Sequence, residues 1–287
     1  MEGKRLFILS PPFSGSTLVH DVIATSDRVT QLPAEGQHLP EVKDWMRSGR
    51  IRGKHWDSSH TVPWERVRGV WDTYWDEEKP VRLEKSPPNL LRAKAMEDAF
   101  DSSFFIVMIG DPYAFCEGCA RRANELDAAD SARLWIRCAR KQTENLEELS
   151  RALLVRYEDF VEHTEEMIQQ IGSFIPEIQD IEAKPSSTFS VLGRGQNQIW
   201  NINAYKRLQL RNDQIRQING VLEEDWRYVE RFGYNRMDPG IHQVSRRFIA
   251  VATKQATRAA RYLAGAGIIS NALERSTREI TKRLADL

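Results

Sequence analysis

"ILSPPFSGSTLVHDVIATSD" (Ile8 to Asp27) joins a strand-like run to a helix-like run through a turn of small and hydroxylated residues. Before it, "LFILS" is nearly continuous in apolar residues, as a strand buried on both faces is. After it, Leu18, Val19, Val22 and Ile23 recur at helical spacing. Gly15 allows a backbone conformation that other residues resist. The free N–H groups of a helix start attract anions, and Ser16 and Thr17 add hydroxyl donors. A strand–glycine–helix turn of this kind is built like a phosphate cradle. It is not a Walker loop, because G-x-x-x-x-G-K-[ST] is absent. The same residues also make an ordinary helix start, with Ser14 or Ser16 as N-cap.

Outward from this turn, four more short apolar runs read as strands: Arg28–Leu32, Val81–Glu84, Phe104–Ile109 and Leu153–Tyr157, with the first at Arg5–Ser10. Helical patterns separate them, including "DSARLWIRCARKQTENLEELSRALL" (Asp130 to Leu154). Strand–helix alternation predicts parallel βαβ units and a layered α/β fold. In such sheets the ligand sits beyond the carboxyl ends of the strands.

The 287 residues suffice for one large domain with an appendage. With 41 basic and 41 acidic side chains the formal charge is zero. From Ile241 onward, however, nine Arg and Lys face three acids, so the tail carries +6 and the body −6. "MDPGIHQ" (Met237 to Gln243) is the expected boundary, dividing 1–238 from a basic amphipathic helical tail at 239–287. That tail suits an anionic membrane surface, the acidic body or a second copy of the chain. Weak nucleic-acid contact is allowed by charge but no recognition motif supports it. No run reaches the roughly 18 to 20 apolar residues of a spanning helix, and "LFIL" is too short for a signal peptide. Three cysteines, an odd number, predict reduced thiols and a cytoplasmic setting.

Five segments in order resemble the sulfotransferases that use 3′-phosphoadenylyl sulfate (PAPS). The turn "SPPFSGSTL" resembles their phosphosulfate-binding loop, and "LEKSPPNLLR" (Leu83 to Arg92) their Glu-Lys-[Ser/Thr]-Pro segment after the third strand. "FFIVMIGDPYAFCEGCARR" (Phe104 to Arg122) resembles the unit that holds the nucleotide's 3′-phosphate. "LLVRYEDFVEHTEEMIQQIGSFI" (Leu153 to Ile175) and "LQLRNDQIRQINGVLEEDWRYVERFGY" (Leu208 to Tyr234) resemble the family's later strand and closing helices. The resemblance implies a P-loop-like α/β three-layer sandwich around a central parallel sheet, with a C-terminal helical tail appended. It implies PAPS as co-substrate, PAP as product and no metal. On this basis Phe13, Ser14, Gly15, Ser16 and Thr17 would line the donor.

Three positions depart from the family's pattern. Phe13 stands where a Lys or Arg is usual, Gly110 where Arg is usual, and Gly118 where Ser is usual. Removing one transition-state donor typically costs about 10²–10³ in rate. Cations remain nearby to compensate. Lys85 follows the third strand, and the resemblance places it near the sulfuryl group; its other reading is a salt bridge to Glu84. Arg121 and Arg122 lie three and four residues after Gly118, on its helix face, and a long side chain there can lean back over the glycine. Their plain alternative is a solvated stretch. Arg194, between glycines in "LGRGQNQIWN" (Leu192 to Asn201), resembles the family's late basic loop.

Sulfuryl transfer to an alcohol needs a base. Glu35, in "QLPAEGQHLPEV" after the second strand, resembles the base of the carbohydrate sulfotransferases, and His38 is its rival. The single CxxC, Cys116 to Cys119, makes no zinc site and reads as two thiols on a helix. Trp64, Trp71 and Trp75 form a helical stripe, either core or a lid over the acceptor. The expected activity is sulfuryl transfer from PAPS to a hydroxyl or amine of a carbohydrate, lipid or small-molecule acceptor. The competing expectation, resting on Phe13, Gly110 and Gly118, is an inactive relative that binds a nucleotide or a protein partner.

Overall fold

The computed structural model of the chain describes residues 3–46, 56, 59–122, 126–184, 189–191, 194–196, 199 and 201–242, with backbone alone at 122, 189–191 and 194–196. The apolar runs become strands within a residue or two of where they were expected. In chain order the first half holds β1 (Lys4–Leu9), α1 (Ser16–Ile23), β2 (Val29–Gln31), α2 (Lys43–Met46), α3 (Trp64–Asp72), β3 (Val81–Glu84), α4 (Ala93–Ala99) and β4 (Ser103–Ile109). Then come α5 (Pro112–Arg122), α6 (Ala128–Glu148), β5 (Ala152–Arg156), α7 (Tyr157–Glu162), α8 (Thr164–Phe174), β6 (Phe189–Val191), β7 (Arg194–Gln196), α9 (Asn203–Gln209), α10 (Asn212–Glu224) and α11 (Trp226–Arg231).

Five strands form one sheet in the order β2-β3-β1-β4-β5, and all four pairings are parallel. β1 is therefore central. The chain leaves it through α1 toward one edge, comes back to β3 beside it, and crosses to β4 on its other side. The connection reverses at β1, which puts the expected ligand crevice at its carboxyl end, where the turn before α1 lies.

Strand alternation divides the core. Leu6 and Ile8 of β1, with Phe104, Ile106 and Met108 of β4, pack on Leu18, Val19 and Val22 of α1 and on Ile168 and Ile171 of α8. Phe7, Leu9, Phe105 and Val107 face the other way, onto Trp71, Met96 and Cys138 of α3, α4 and α6. Helices thus cover both faces of the sheet, giving three layers. A further cluster, with Tyr113, Trp135, Ile218 and Leu222, joins α5, α6 and α10.

The tryptophan stripe is core. Trp64, Trp71 and Trp75 are all buried, and Trp71 stacks on Phe100 at 5.6 Å between centroids. A lid over an acceptor would leave such rings open to solvent, so that reading is corrected. Three other expectations also change. β2 has three residues rather than five. The helix expected to run to Leu154 stops at Glu148: Leu149 turns extended (φ −81°, ψ 135°), and Ala152 to Leu154 pair instead with Phe105 to Val107 of β4. The segment read as a glycine-flanked loop contributes β7, antiparallel to β6, with Val191 opposite Arg194.

Past the closing helix the chain stays on the body. Met237 donates its backbone N–H to the Tyr113 hydroxyl (3.0 Å), and the buried His242 ring meets the Leu210 carbonyl (2.8 Å). The rest of the basic tail lies outside the described residues.

Trp71 carries much of the packing between the sheet and α3. Trp71→Ala is expected to lower the unfolding free energy by about 3–5 kcal/mol, read from urea denaturation.

Candidate active site

The turn between β1 and α1 contains two residues with left-handed backbone, Phe13 (φ 59°) and Gly15 (φ 82°). Gly15 is the N-cap of α1; its carbonyl accepts from the N–H groups of Leu18 (3.0 Å) and Val19 (3.4 Å). No side chain caps the helix and no acid stands in its first turn. The amides of that turn therefore open toward any anion beyond β1, as the cradle reading requires. Glycine is needed here twice over. Its φ disfavours other residues, and a Cβ would lie 2.3 Å from a ring carbon of Tyr157, the first residue of α7.

Phe13 packs against the cluster of α5, α6 and α10. A Cβ placed on Gly118 would come within 3.1 Å of the Phe13 Cβ, so the phenylalanine lies against the glycine of α5. The reach of an arginine back over Gly118, expected to compensate for the missing ligands, is not adopted by Arg121. Its guanidinium turns to Glu117, with Nε donating at 2.7 Å and a terminal nitrogen 3.4 Å away. Gly110 lies near Ser14 and Tyr157. The side chains of Arg122 and Arg194 are outside the described residues.

Three expected residues do converge. The Lys85 Nζ donates to Glu35 Oε1 at 2.5 Å and to Thr17 Oγ1 at 3.2 Å, and its side chain is only 9% exposed. Lys85 thus pairs with Glu35, from the segment after β2, rather than with its neighbour Glu84. The second Glu35 oxygen accepts from Gln37 Nε2 (2.7 Å) and lies 3.9 Å from His38 Nε2. His38 is the more exposed of the two, at 39% against 24%. A cation, a carboxylate and a hydroxyl therefore meet beside the uncapped start of α1, beyond the ends of β1 and β3.

Two buried carboxylates lie near this site, Glu84, which opens the Glu-Lys-Ser-Pro segment, and Asp111, after β4. Glu84, 1% exposed, accepts from the Gly36 N–H (3.1 Å), from Asn89 Nδ2 (2.9 Å) and from the Ser86 hydroxyl. Burial pushes its pKa up to about 7 despite these donors, and the Glu35 carboxylate adds to the rise. Asp111, also buried, caps α5 by accepting from the Ala114 N–H (2.8 Å), with Arg207 at 3.4 Å. Burial raises it to about 6, against the pull of Arg207. Beside it Glu158 accepts from the Asp111 N–H (3.0 Å), the Tyr234 hydroxyl (2.8 Å) and the Asn203 amide, tying the ends of β4 and β5 to the closing helices.

Cys116, Cys119 and Cys138 are free and buried, and burial pushes the Cys119 thiol up to about 12. Among the described residues no group of His, Cys, Asp and Glu could hold a metal ion, and no helix is long and apolar enough to cross a membrane.

The sequence pattern of the sulfotransferase family matches residues 5–178, more than half of the chain. The chain belongs to that family. Its fold is similar to the sulfotransferase domain from the curacin biosynthetic pathway (TM-score 0.56, 18% identity, covering 83% of this chain and 99% of that one). It is similar also to the sulfotransferase domain of the Synechococcus PCC 7002 olefin synthase (TM-score 0.52, 21% identity, 76% and 94% covered). No curated protein matches the sequence.

Glu84 generates a pH signature. With its folded pKa raised, its contribution to stability is fully present below about 4.5 and is lost as pH rises toward about 7. Relative to Glu84→Gln, which does not titrate, the parent should therefore lose about 2–4 kcal/mol of stability across that window. Urea melts of both proteins at stepped pH check the sign and the size.

Proposed function

We propose that the protein transfers a sulfuryl group from PAPS to a hydroxyl or amine on a carbohydrate, lipid or small-molecule acceptor. The observation that supports this most is the meeting of Lys85, Thr17 and Glu35 beside the first turn of α1. The donor is a polyanion, and this donor set suits it: amides and hydroxyls from Ser14 to Thr17 for the 5′-phosphate, and an ammonium next to them for the bridge to sulfur. PAPS supplies the sulfuryl group. The acceptor oxygen forms its bond to sulfur as the bond from sulfur to the phosphate oxygen breaks, and Lys85 meets the charge that grows on that oxygen.

Glu35 takes the acceptor's proton. Its contact with Lys85 suggests an order of events. Without donor the two neutralise each other; an anionic donor that draws Lys85 away leaves the Glu35 oxygen free to face the acceptor. Gln37 keeps hold of the other oxygen throughout. The 3′-phosphate falls to Arg121, Arg122 and Arg194, and Arg121 serves only by exchanging Glu117 for phosphate. The buried reduced thiols support a cytoplasmic setting. The basic tail is left to hold the acidic body, a membrane surface or a second copy.

Phe13 favours a second reading. Its ring packs on Gly118 where the family's pattern has a cation and a serine, so a relative that binds nucleotide or protein without transfer is the alternative.

Glu35→Gln separates these readings. The variant should bind PAP nearly as the parent does while transfer falls by about 10²–10⁴. A variant that turns over like the parent would move the base to His38. A parent that binds PAP but sulfates nothing in a broad acceptor screen would favour the non-catalytic reading.

A further inference from the structure

Glu84 takes no part in the transfer just described, yet it is the best-connected buried acid in the site. Its carboxylate holds two segments together. Oε1 accepts the Gly36 N–H and the Ser86 hydroxyl, and Oε2 accepts Asn89 Nδ2. The Ser86 hydroxyl in turn accepts the Gln37 N–H at 3.1 Å, and the Gln37 side chain donates to Glu35 Oε2 at 2.7 Å. Two hydrogen bonds thus lead from Glu84 through Ser86 to the Gln37 backbone, and the Gln37 side chain carries the link on to Glu35. Glu84, Ser86 and Gln37 are all buried.

The segment bearing Glu35 is flanked by Leu32 and Leu39, both buried in the core. It is a single 3₁₀ turn, Gly36–His38, whose N-cap Glu35 has no side-chain cap. Packing leaves it one place to sit: a Cβ on Gly36 would lie 2.5 Å from the Trp71 ring and 3.0 Å from Glu84 Oε1. Wedged between the indole and the carboxylate, the turn sets Glu35 over Lys85.

From this geometry we infer that Glu84 is the positioning residue of the site: it clamps Gly36 and Gln37 to the turn after β3, and so sets the Glu35 carboxylate against Lys85. The reading of Glu35 as base and Lys85 as donor-side cation is the one made above, and this inference rests on it for its catalytic consequence. The clamp itself is a statement about structure. The charged groups that bear on it are Glu35 and His38 from the 3₁₀ turn and Lys85, next in the chain.

The clamp works through hydrogen bonds, which distinguishes two substitutions. Glu84→Gln keeps an oxygen for Gly36 and Ser86, and Asn89 can turn its amide over to accept from the new NH₂ group. Glu84→Ala removes every acceptor. The test measures the rate at which Lys85 is acylated by acetic anhydride, read by peptide mass spectrometry on the ligand-free protein, together with PAP affinity and transfer.

Glu84→Ala should raise Lys85 acylation several-fold as Glu35 leaves it, keep PAP affinity within a few-fold, and lower kcat by about a hundredfold, as a misplacement of about 1 Å does. Glu84→Gln should restore most of both changes. In a Glu35→Gln background Glu84→Ala should cost no further rate, because it acts through Glu35. A general loss of stability would be additive there and would not be specific to kcat.

If Glu84→Ala does not fold, Ser86→Ala, which removes the acceptor of the Gln37 N–H and the hydroxyl bond to Glu84 but keeps the Gly36 and Asn89 bonds, should show the same changes in smaller measure. Unchanged Lys85 acylation in the folded variant overturns the inference, and so does a Glu84→Gln protein that behaves like Glu84→Ala. Raised acylation in a protein that transfers no sulfuryl group even as the parent leaves the clamp standing and removes the catalytic reading instead.

Discussion

A lysine at the end of a parallel strand, nearly closed off from water, must have a counter-charge close by. Burying an ammonium without a partner costs far more than any packing around it returns. Lys85 finds that partner in Glu35, which reaches it from the segment after the neighbouring strand. Much else in the site follows from this demand. The segment after β2 has to lie over the end of β3, so its backbone is pressed on Trp71, so residue 36 is glycine. The N–H groups of Gly36 and Gln37, buried in that turn, then need acceptors inside the protein, and Glu84 and Ser86 supply them. The result is a cation held in reserve beside an uncapped helix start, where an anion can take it over.

The fold brings two departures from the family's pattern together. Phe13 and Gly118 look like separate losses in the sequence. In the fold they touch, with so little room that even a methylene on Gly118 would crowd the Phe13 Cβ at 3.1 Å. Phe13 also packs against the cluster of α5, α6 and α10.

The sheet was legible because its strands β1 and β4 are buried on both faces and so read as nearly unbroken apolar runs, and because helical spacing filled the intervals. Thr17, Glu35 and Lys85 were legible too: each follows a strand, and parallel strands bring their carboxyl ends together. What the sequence hides is direction. Neighbouring positions on a strand point opposite ways, so Glu84 and Lys85, adjacent and oppositely charged, look like a pair when one enters the core and the other the crevice. Arg121 was misleading for a similar reason. Four residues back along α5 stands Glu117, nearly buried, and it claims the guanidinium before the empty space over Gly118 can. The Asp111 and Glu158 network joins residues that are 45 to 96 positions apart, so no local pattern announces it.

The central claim is that Lys85, withheld by Glu35, is the cation that receives the donor's phosphosulfate end. Titration calorimetry of PAP against the parent and against Lys85→Met tests it most directly. One charge-assisted hydrogen bond to the ligand is worth about 1.5–3 kcal/mol, so the variant should bind PAP about ten- to a hundredfold more weakly at matched salt. Equal affinity in the two proteins, with both folded, would contradict the account, for it would mean that the anion sits elsewhere and that Lys85 and Glu35 are an ion pair serving the fold alone.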